Sequence, residues 1–484
     1  MNRLFAALAL SCALAAPLAP CAQSQPSIWT PAPLFASDQI SQSTLPNGAR
    51  VVVKSTPGAP VVSIQVWVRG GSRAEKPAEE GLAHLIEVAA VNGSKNQPFI
   101  ENGDEGGLPG AIRVVGGETG SLTSRDATFY SATVAQSDWG RALNALADTV
   151  LQPDLSAPSL NRAKLIVANQ LVAQVFNPVS QANDLAYATA YPKHPYGHSE
   201  IGSEDTLGAL TPAKARDFYK RQYVGGNISI VVVGDVTASE VVEASKRVFG
   251  GASKDAPAPV NPKAEPLPTQ REASLQAPVS SGVLALAWRS PGIENPRDVV
   301  ATDALLALWR EGLDANLRRL LLRDGPDGEN KPLVDSYDVD YLTQRDPGLI
   351  LVTLVGVKDR DETIAVIENE IKRLGENGPG EAEMQRAREL LRRQYLEQSE
   401  GAAGQAGALG FYEMIADYKF ALQYEQLTQT VTSADVQRIA REYLAPDKEI
   451  RATIEPLPRA RPGAPTNPDD ATAGDGVIMA RWTR

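Results

Sequence analysis

With 484 residues, 43% of them apolar and 22% charged, the chain has material for two or three packed domains and is neither disordered nor fibrous. A net charge of −11 with no basic run excludes a nucleic-acid-binding surface, which needs clustered Lys and Arg. Both cysteines, Cys12 and Cys21, fall within the first 22 residues, which excludes a disulfide framework, a thiolate metal site and a cysteine nucleophile in the rest of the chain.

Residues 1–22 read as a secretory signal: Arg3 supplies the charged start and Leu4 to Leu18 an apolar run too short to span a bilayer comfortably. Cleavage near Ala22 gives a periplasmic or secreted protein. Acylation at Cys21 is a weaker alternative, because Pro20 fits poorly before the cysteine. No later stretch is apolar enough for a membrane span. Residues 23–40, rich in Pro, Ser and Gln, read as a loose lead-in.

Strands are expected at Arg50–Lys54, after the Asn47-Gly48 turn, and at Val61–Val68, where apolar and polar residues alternate. A helix follows from Ala78 to Ala90. It carries His84-Leu-Ile-Glu87-Val88, which is an inverted zinc motif, H-x-x-E-H, with valine in place of the second histidine. Residues 84 and 88 share a helical face, but an isopropyl group donates nothing to a metal. Asn92–Gly110 reads as a polar loop whose Glu101, Asp104 and Glu105 could hold a hard cation but are more simply solvated.

Another strand pair is expected within Gly116–Val134, and helices at Trp139–Leu151, Ser159–Phe176 (ended by Asn177-Pro178) and Pro212–Gln222. A buried strand begins at Ile228. Residues 252–272 are Pro/Ala-rich and read as a linker. Beyond it the patterns give a strand at Val283–Trp288, one long helix at Asp298–Leu322, a strand at Leu349–Val355, and helices at Glu362–Leu374 and Glu381–Gln398. The end of this half echoes the first. Thr432 opens a helix closing on Arg441-Glu-Tyr443 before a strand at Ile450, as Thr211 opens one closing on Arg221-Gln-Tyr223 before Ile228. Two copies of one fold are therefore expected, at 41–251 and 273–460, with a disordered tail at 461–484.

Gly81-Leu-Ala-His-Leu-Ile-Glu87, Gly116-Gly-Glu118, Thr123-Ser-Arg-Asp126, His194-Pro-Tyr-Gly197, Ile201-Gly202 and Asn227…Gly234-Asp-Val236, in this order, resemble the pitrilysin/insulinase family of zinc peptidases, which includes mitochondrial processing peptidase. The resemblance covers most of the chain. It implies an α+β fold: two homologous domains, each a mostly antiparallel sheet backed by helices, facing each other as a clam-shell around peptide substrates. It implies that His84 is the first zinc ligand and Glu87 the general base, both now vestigial, and that Val88 and Gln170 stand at the two lost ligand positions. No glutamate occurs between Glu118 and Glu200, so sliding the alignment does not restore the third ligand.

The other imidazoles, His194 and His198, offer little for a rebuilt site, since His194 belongs to a turn the family uses structurally. The resemblance also implies an Arg and a Tyr of the second domain that grip substrate backbone; Arg323 is the candidate for the first, while the tyrosine position falls nearer Asp335 than Tyr337. Small two-domain relatives commonly pair with a second chain, of which only one carries zinc. The expectation is thus a non-catalytic subunit with no cofactor of its own, partnered with a zinc-bearing paralogous peptidase in a heterodimer that encloses peptides. The alternative is an active zinc metalloendopeptidase with a non-standard or subunit-shared metal site.

Overall fold

Strand sequences of two kinds explain the sheets. Ile228-Ser-Ile-Val-Val-Val-Gly234 (β6) is buried at every residue, without the alternation of a half-exposed strand, because its sheet is covered on both faces. The computed structural model describes residues 35, 39–100, 106–258, 260, 262–310, 312, 315–323 and 331–458. The signal-like segment, nearly all of the lead-in, the acidic loop residues Glu101, Asp104 and Glu105, and the C-terminal tail lie outside these.

The first sheet contains β1 (Ile40–Thr44), β2 (Arg50–Ser55), β3 (Val61–Val68), β4 (Glu118–Thr123), β5 (Thr128–Ala135) and β6. Its order is β1-β2-β6-β3-β5-β4. The second contains β7 (Glu272–Ala277), β8 (Val283–Arg289), β9 (Ser336–Tyr341), β10 (Leu349–Val355) and β11 (Ile450–Pro456), ordered β7-β11-β8-β10-β9. Without β1 the two orders coincide. In each, the first strand pairs with the last in parallel, and every other pair is antiparallel. The expected α+β repeat of mostly antiparallel sheets is therefore present.

Helices follow the same order in both halves. α1 (Leu82–Asn92), α2 (Gly107–Arg113), α3 (Trp139–Leu151), α4 (Ala157–Val175), α5 (Pro178–Ala190), α6 (Glu204–Ala209) and α7 (Pro212–Gln222) belong to the first, with α8 (Ala238–Phe249) after β6. α9 (Pro296–Arg310), α10 (Asn316–Leu321), α11 (Arg360–Asn377), α12 (Glu381–Gln398), α13 (Gly401–Ile415), α14 (Lys419–Thr430) and α15 (Ser433–Glu442) belong to the second. Thr211 and Thr432, singled out as matching helix starts, are both N-caps whose side chains accept a backbone N–H three residues on.

Three sequence expectations are corrected. The long helix at 298–322 is two helices, because Gly312 takes the left-handed backbone (φ +83°) that an α-helix cannot continue through. The 92–110 stretch is not all loop, since α2 begins at Gly107. Asn177-Pro178 does not only end a helix: Asn177 caps α5 by accepting from Ser180 N, and Pro178 occupies its first turn, where no N–H is needed.

α5 does not cover its own sheet. Its Ala182, Leu185, Ala186 and Ala190 pack with Tyr187 on the second sheet, against Val283, Ala285, Ala287, Leu351 and Ala452. The equivalent helix of the second half, α13, packs instead on β3 and β6 of the first sheet. It lies close because it is built from Gly and Ala: a Cβ on Gly410 would sit 2.0 Å from Trp67 Nε1. Polar contacts fix its register, with Lys54 Nζ donating to Gln405 Oε1 (2.7 Å), Gln65 Nε2 to Ala403 O (3.1 Å) and Arg69 to the Glu413 and Met414 carbonyls at its C-terminus. The two halves thus exchange one helix each, and the described residues form one compact unit. The Pro/Ala-rich linker is held as well, through Ala258 N donating to Arg221 O and Arg73 Nη1 to Val260 O.

Candidate functional site

The site begins with the placement of α1. Gly81, its N-cap, has φ +86°, and a Cβ there would lie 2.7 Å from Ile201 O, so the Ile201-Gly202 turn can approach only glycine. The carboxyl of Glu75 accepts from Gly81 N (3.0 Å) and Ala83 N (2.7 Å), which supplies partners to N–H groups at the start of the helix. Burial pushes this carboxyl well up against those hydrogen bonds.

On the helix so placed, Glu87 is buried and fully engaged. Ser121 Oγ donates to its Oε1 at 2.6 Å and Thr123 Oγ1 to its Oε2 at 2.7 Å, both hydroxyls coming from one face of β4. His84 Nδ1 lies 3.0 Å from the same Oε2, and His84 Nε2 lies 2.7 Å from Gln170 Oε1 on α4. A carboxylate and an amide oxygen are both acceptors, so with the amide oriented this way the ring donates from both nitrogens, as imidazolium. Burial opposes that charge. The hydrogen bond and charge of Glu87, helped by Gln170 and Glu200, outweigh it and raise the His84 pKa. Val88 is buried in the apolar core.

Gln170, assigned through the family resemblance, is therefore brought to His84. The remaining candidates make their closest contacts elsewhere, although the Glu200 charge still acts on His84. Glu200, the first glutamate after the gap, pairs with Arg125 (3.1 Å). His194 Nδ1 accepts from Tyr196 N and its Nε2 faces Asp346 (3.3 Å), while His198 lies 3.7 Å from Glu75. Arg323, just past α10, pairs with Glu362 on α11. Asp335 pairs with Lys358 (2.6 Å), and Tyr337 donates to Trp309 O.

Zinc does not fit these donors as they stand. Two tetrahedral ligands at about 2.0–2.2 Å from the ion must be about 3.3 Å apart, whereas His84 Nε2 and Gln170 Oε1 are close enough to bond directly. The second histidine position offers only an isopropyl group. Among the described residues no group of three or more His, Cys, Asp or Glu side chains is placed to hold a metal.

The other sequence motifs meet at a polar junction that sequence reasoning did not anticipate. Asp126 accepts from Tyr196 Oη (2.7 Å) and from Arg345 N (3.0 Å) in the β9–β10 turn, and Arg73 and His194 both hold Asp346 of that turn. Burial raises the Asp346 carboxyl, but the hydrogen bonds from His194 and Arg73 override it and hold the pKa at about 2. Arg125 stacks on Tyr187 of α5, 3.6 Å from the ring centre. The one available signal was the density of charged and aromatic residues in Thr123-Ser-Arg-Asp126 and His194-Pro-Tyr-Gly197.

Residues 50–204 match the insulinase family, peptidase family M16, and residues 209–391 match the peptidase M16 inactive domain. The chain belongs to peptidase family M16. Among curated relatives it is 24% identical to a probable mitochondrial-processing peptidase subunit beta of Arabidopsis thaliana, over 86% of this chain and 78% of the other. It is also 24% identical to the zinc protease PqqE of Helicobacter pylori, over 85% and 92%. An uncharacterized zinc protease of Mycobacterium leprae is 28% identical over 44% of this chain, a match that spans 46% of the mycobacterial protein, about half its length. The fold is similar to a solved protease from Helicobacter pylori (TM-score 0.77, 22% identity, 86% of this chain and 99% of the other) and to a peptidase M16 inactive domain from Pseudomonas fluorescens (TM-score 0.76, 20% identity, 87% and 100%).

Proposed function

We propose that this M16 protein is an exported, non-catalytic subunit that works with a zinc-bearing paralogous peptidase and helps enclose its peptide substrates. The observation that carries the reading is the direct hydrogen bond between His84 Nε2 and Gln170 Oε1, beside an apolar Val88. A hydrolytic zinc centre needs three protein ligands and a water whose proton a base removes. In this chain one imidazole remains of the ligand set, and both oxygens of the Glu87 carboxylate are already engaged, by Ser121, Thr123 and His84. The signal-like residues 1–22 support export to the periplasm. The Arabidopsis relative's description as a peptidase subunit supports pairing with a second chain.

The relatives named zinc proteases favour the alternative of an active metalloendopeptidase with a non-standard or subunit-shared site. Metal content by mass spectrometry after mild dialysis, with peptide hydrolysis assayed on the same sample, separates the two. The subunit reading expects near-zero zinc and no hydrolysis by the chain alone. About one zinc per chain, removed by chelator and lost in His84→Ala, would overturn it.

A further inference from the structure

We propose that the second half carries a pocket for an organic ammonium ion, walled by α9, β9, α12 and α13. The inference does not depend on whether the His84 cluster hydrolyses anything. By the matching strand and helix order, α9, β9 and α12 are the counterparts of α1, β4 and α4, the three elements that hold His84, Glu87, Ser121, Thr123 and Gln170. Where the first half fills that position with a closed hydrogen-bonded cluster, the second leaves a cavity of about 530 Å³.

The lining is selective. Asp303 of α9 faces the cavity and accepts from Tyr424 Oη at 2.7 Å. Tyr341, Tyr395 and Tyr412 line the same space, and the Tyr395 and Tyr424 ring centres are 5.0 Å apart. Ser399 Oγ, also in the lining, is buried without a hydrogen-bond partner. Burial pushes the Asp303 carboxyl up to about 7, against the Tyr424 hydrogen bond; Arg310 and Asp340 also line the cavity, and the Arg310 charge acts on Asp340. A carboxylate in a cavity lined by tyrosines attracts a cation through its charge, and aromatic rings favour a cation over an anion as well. The carbon body of the ligand meets Leu306 and Phe411.

The test is calorimetric titration of the full chain with phenethylammonium chloride and, in parallel, with the neutral 2-phenylethanol. The ammonium is expected to bind at one site per chain, about tenfold or more tighter than the alcohol. Asp303→Asn is expected to abolish that preference, and Tyr412→Leu, which leaves Asp303 in place, to weaken ammonium binding. Affinity should also rise between about pH 6 and pH 8 as Asp303 ionises. The facing Tyr341, Tyr395, Tyr412 and Tyr424 are all pushed up by burial, away from this range, while Asp340, also in the wall beside Arg310, is pushed up by burial too, so loss of the pH dependence in Asp303→Asn is what assigns it to Asp303. Equal binding of the alcohol, no saturable ammonium binding, or an ammonium preference unchanged in folded Asp303→Asn would each overturn the proposal.

Discussion

His84 Nε2 and Gln170 Oε1 are 2.7 Å apart, and the other imidazole nitrogen is 3.0 Å from Glu87, so one ring ties α4 to α1. The cluster resists losing its proton, and His84 is expected to titrate above 6.5 in an NMR pH series. A histidine whose pKa is raised by folding stabilises the native state fully below its unfolded pKa, and that contribution fades as pH rises through the folded value. Glu87→Gln should therefore lower the His84 pKa and cost about 2 kcal/mol at mildly acidic pH, with a smaller penalty above the native pKa. Denaturant unfolding at several pH values checks the sign.

If Gln170 occupies the third ligand position, supplying both missing donors should rebuild a zinc site. Val88→His with Gln170→Glu is expected to bind about one zinc per chain, and each single variant far less. Folded double variant without zinc would mean the third position lies elsewhere on α4.

Asp346 carries its charge in a junction between the β9–β10 turn and the first half, with a pKa held down at about 2. A depressed carboxyl stabilises above its unfolded pKa of 3.8 and loses that contribution as pH falls through the native value. Asp346→Asn is expected to cost about 2 kcal/mol at neutral pH. The gap to the wild type should close as pH drops from about 4 toward 2, read by thermal melts across that range.

Gly410 admits Trp67 against α13. Gly410→Ala should force the indole or the helix to move and lower stability by about 1–3 kcal/mol, visible as a lower Tm and altered tryptophan fluorescence. Gly208, whose added Cβ would meet nothing within 4 Å, is the control: Gly208→Ala should be near neutral or slightly stabilising.

Much of this was legible because local chemistry determined it. The threonine starts of α7 and α15 and the strands at 61–68 and 283–288 follow from short-range pattern, whereas the nearness of Gln170 to His84, 86 residues apart, was reached only through the family resemblance. The break at Gly312 was missed because the apolar pattern on either side continues in phase. The hydroxyl clamp of Ser121 and Thr123 on Glu87 was missed because strand pattern gives a face, not what the face meets. The placements of α5 and α13 were illegible for a deeper reason. Neither was read as a helix, because both are rich in small apolar residues with little one-sided patterning, and nothing in such a pattern says which sheet is covered.

That exchange makes the chain resemble an obligate dimer whose two subunits happen to be fused. A fragment ending within the linker would keep α5 with no sheet to cover and leave β3 and β6 bare where α13 belongs. Each half should aggregate when produced by itself, and the two should rescue one another when produced together. Any motion that parted the halves would have to unthread two helices at once, so the molecule should unfold in a single cooperative step.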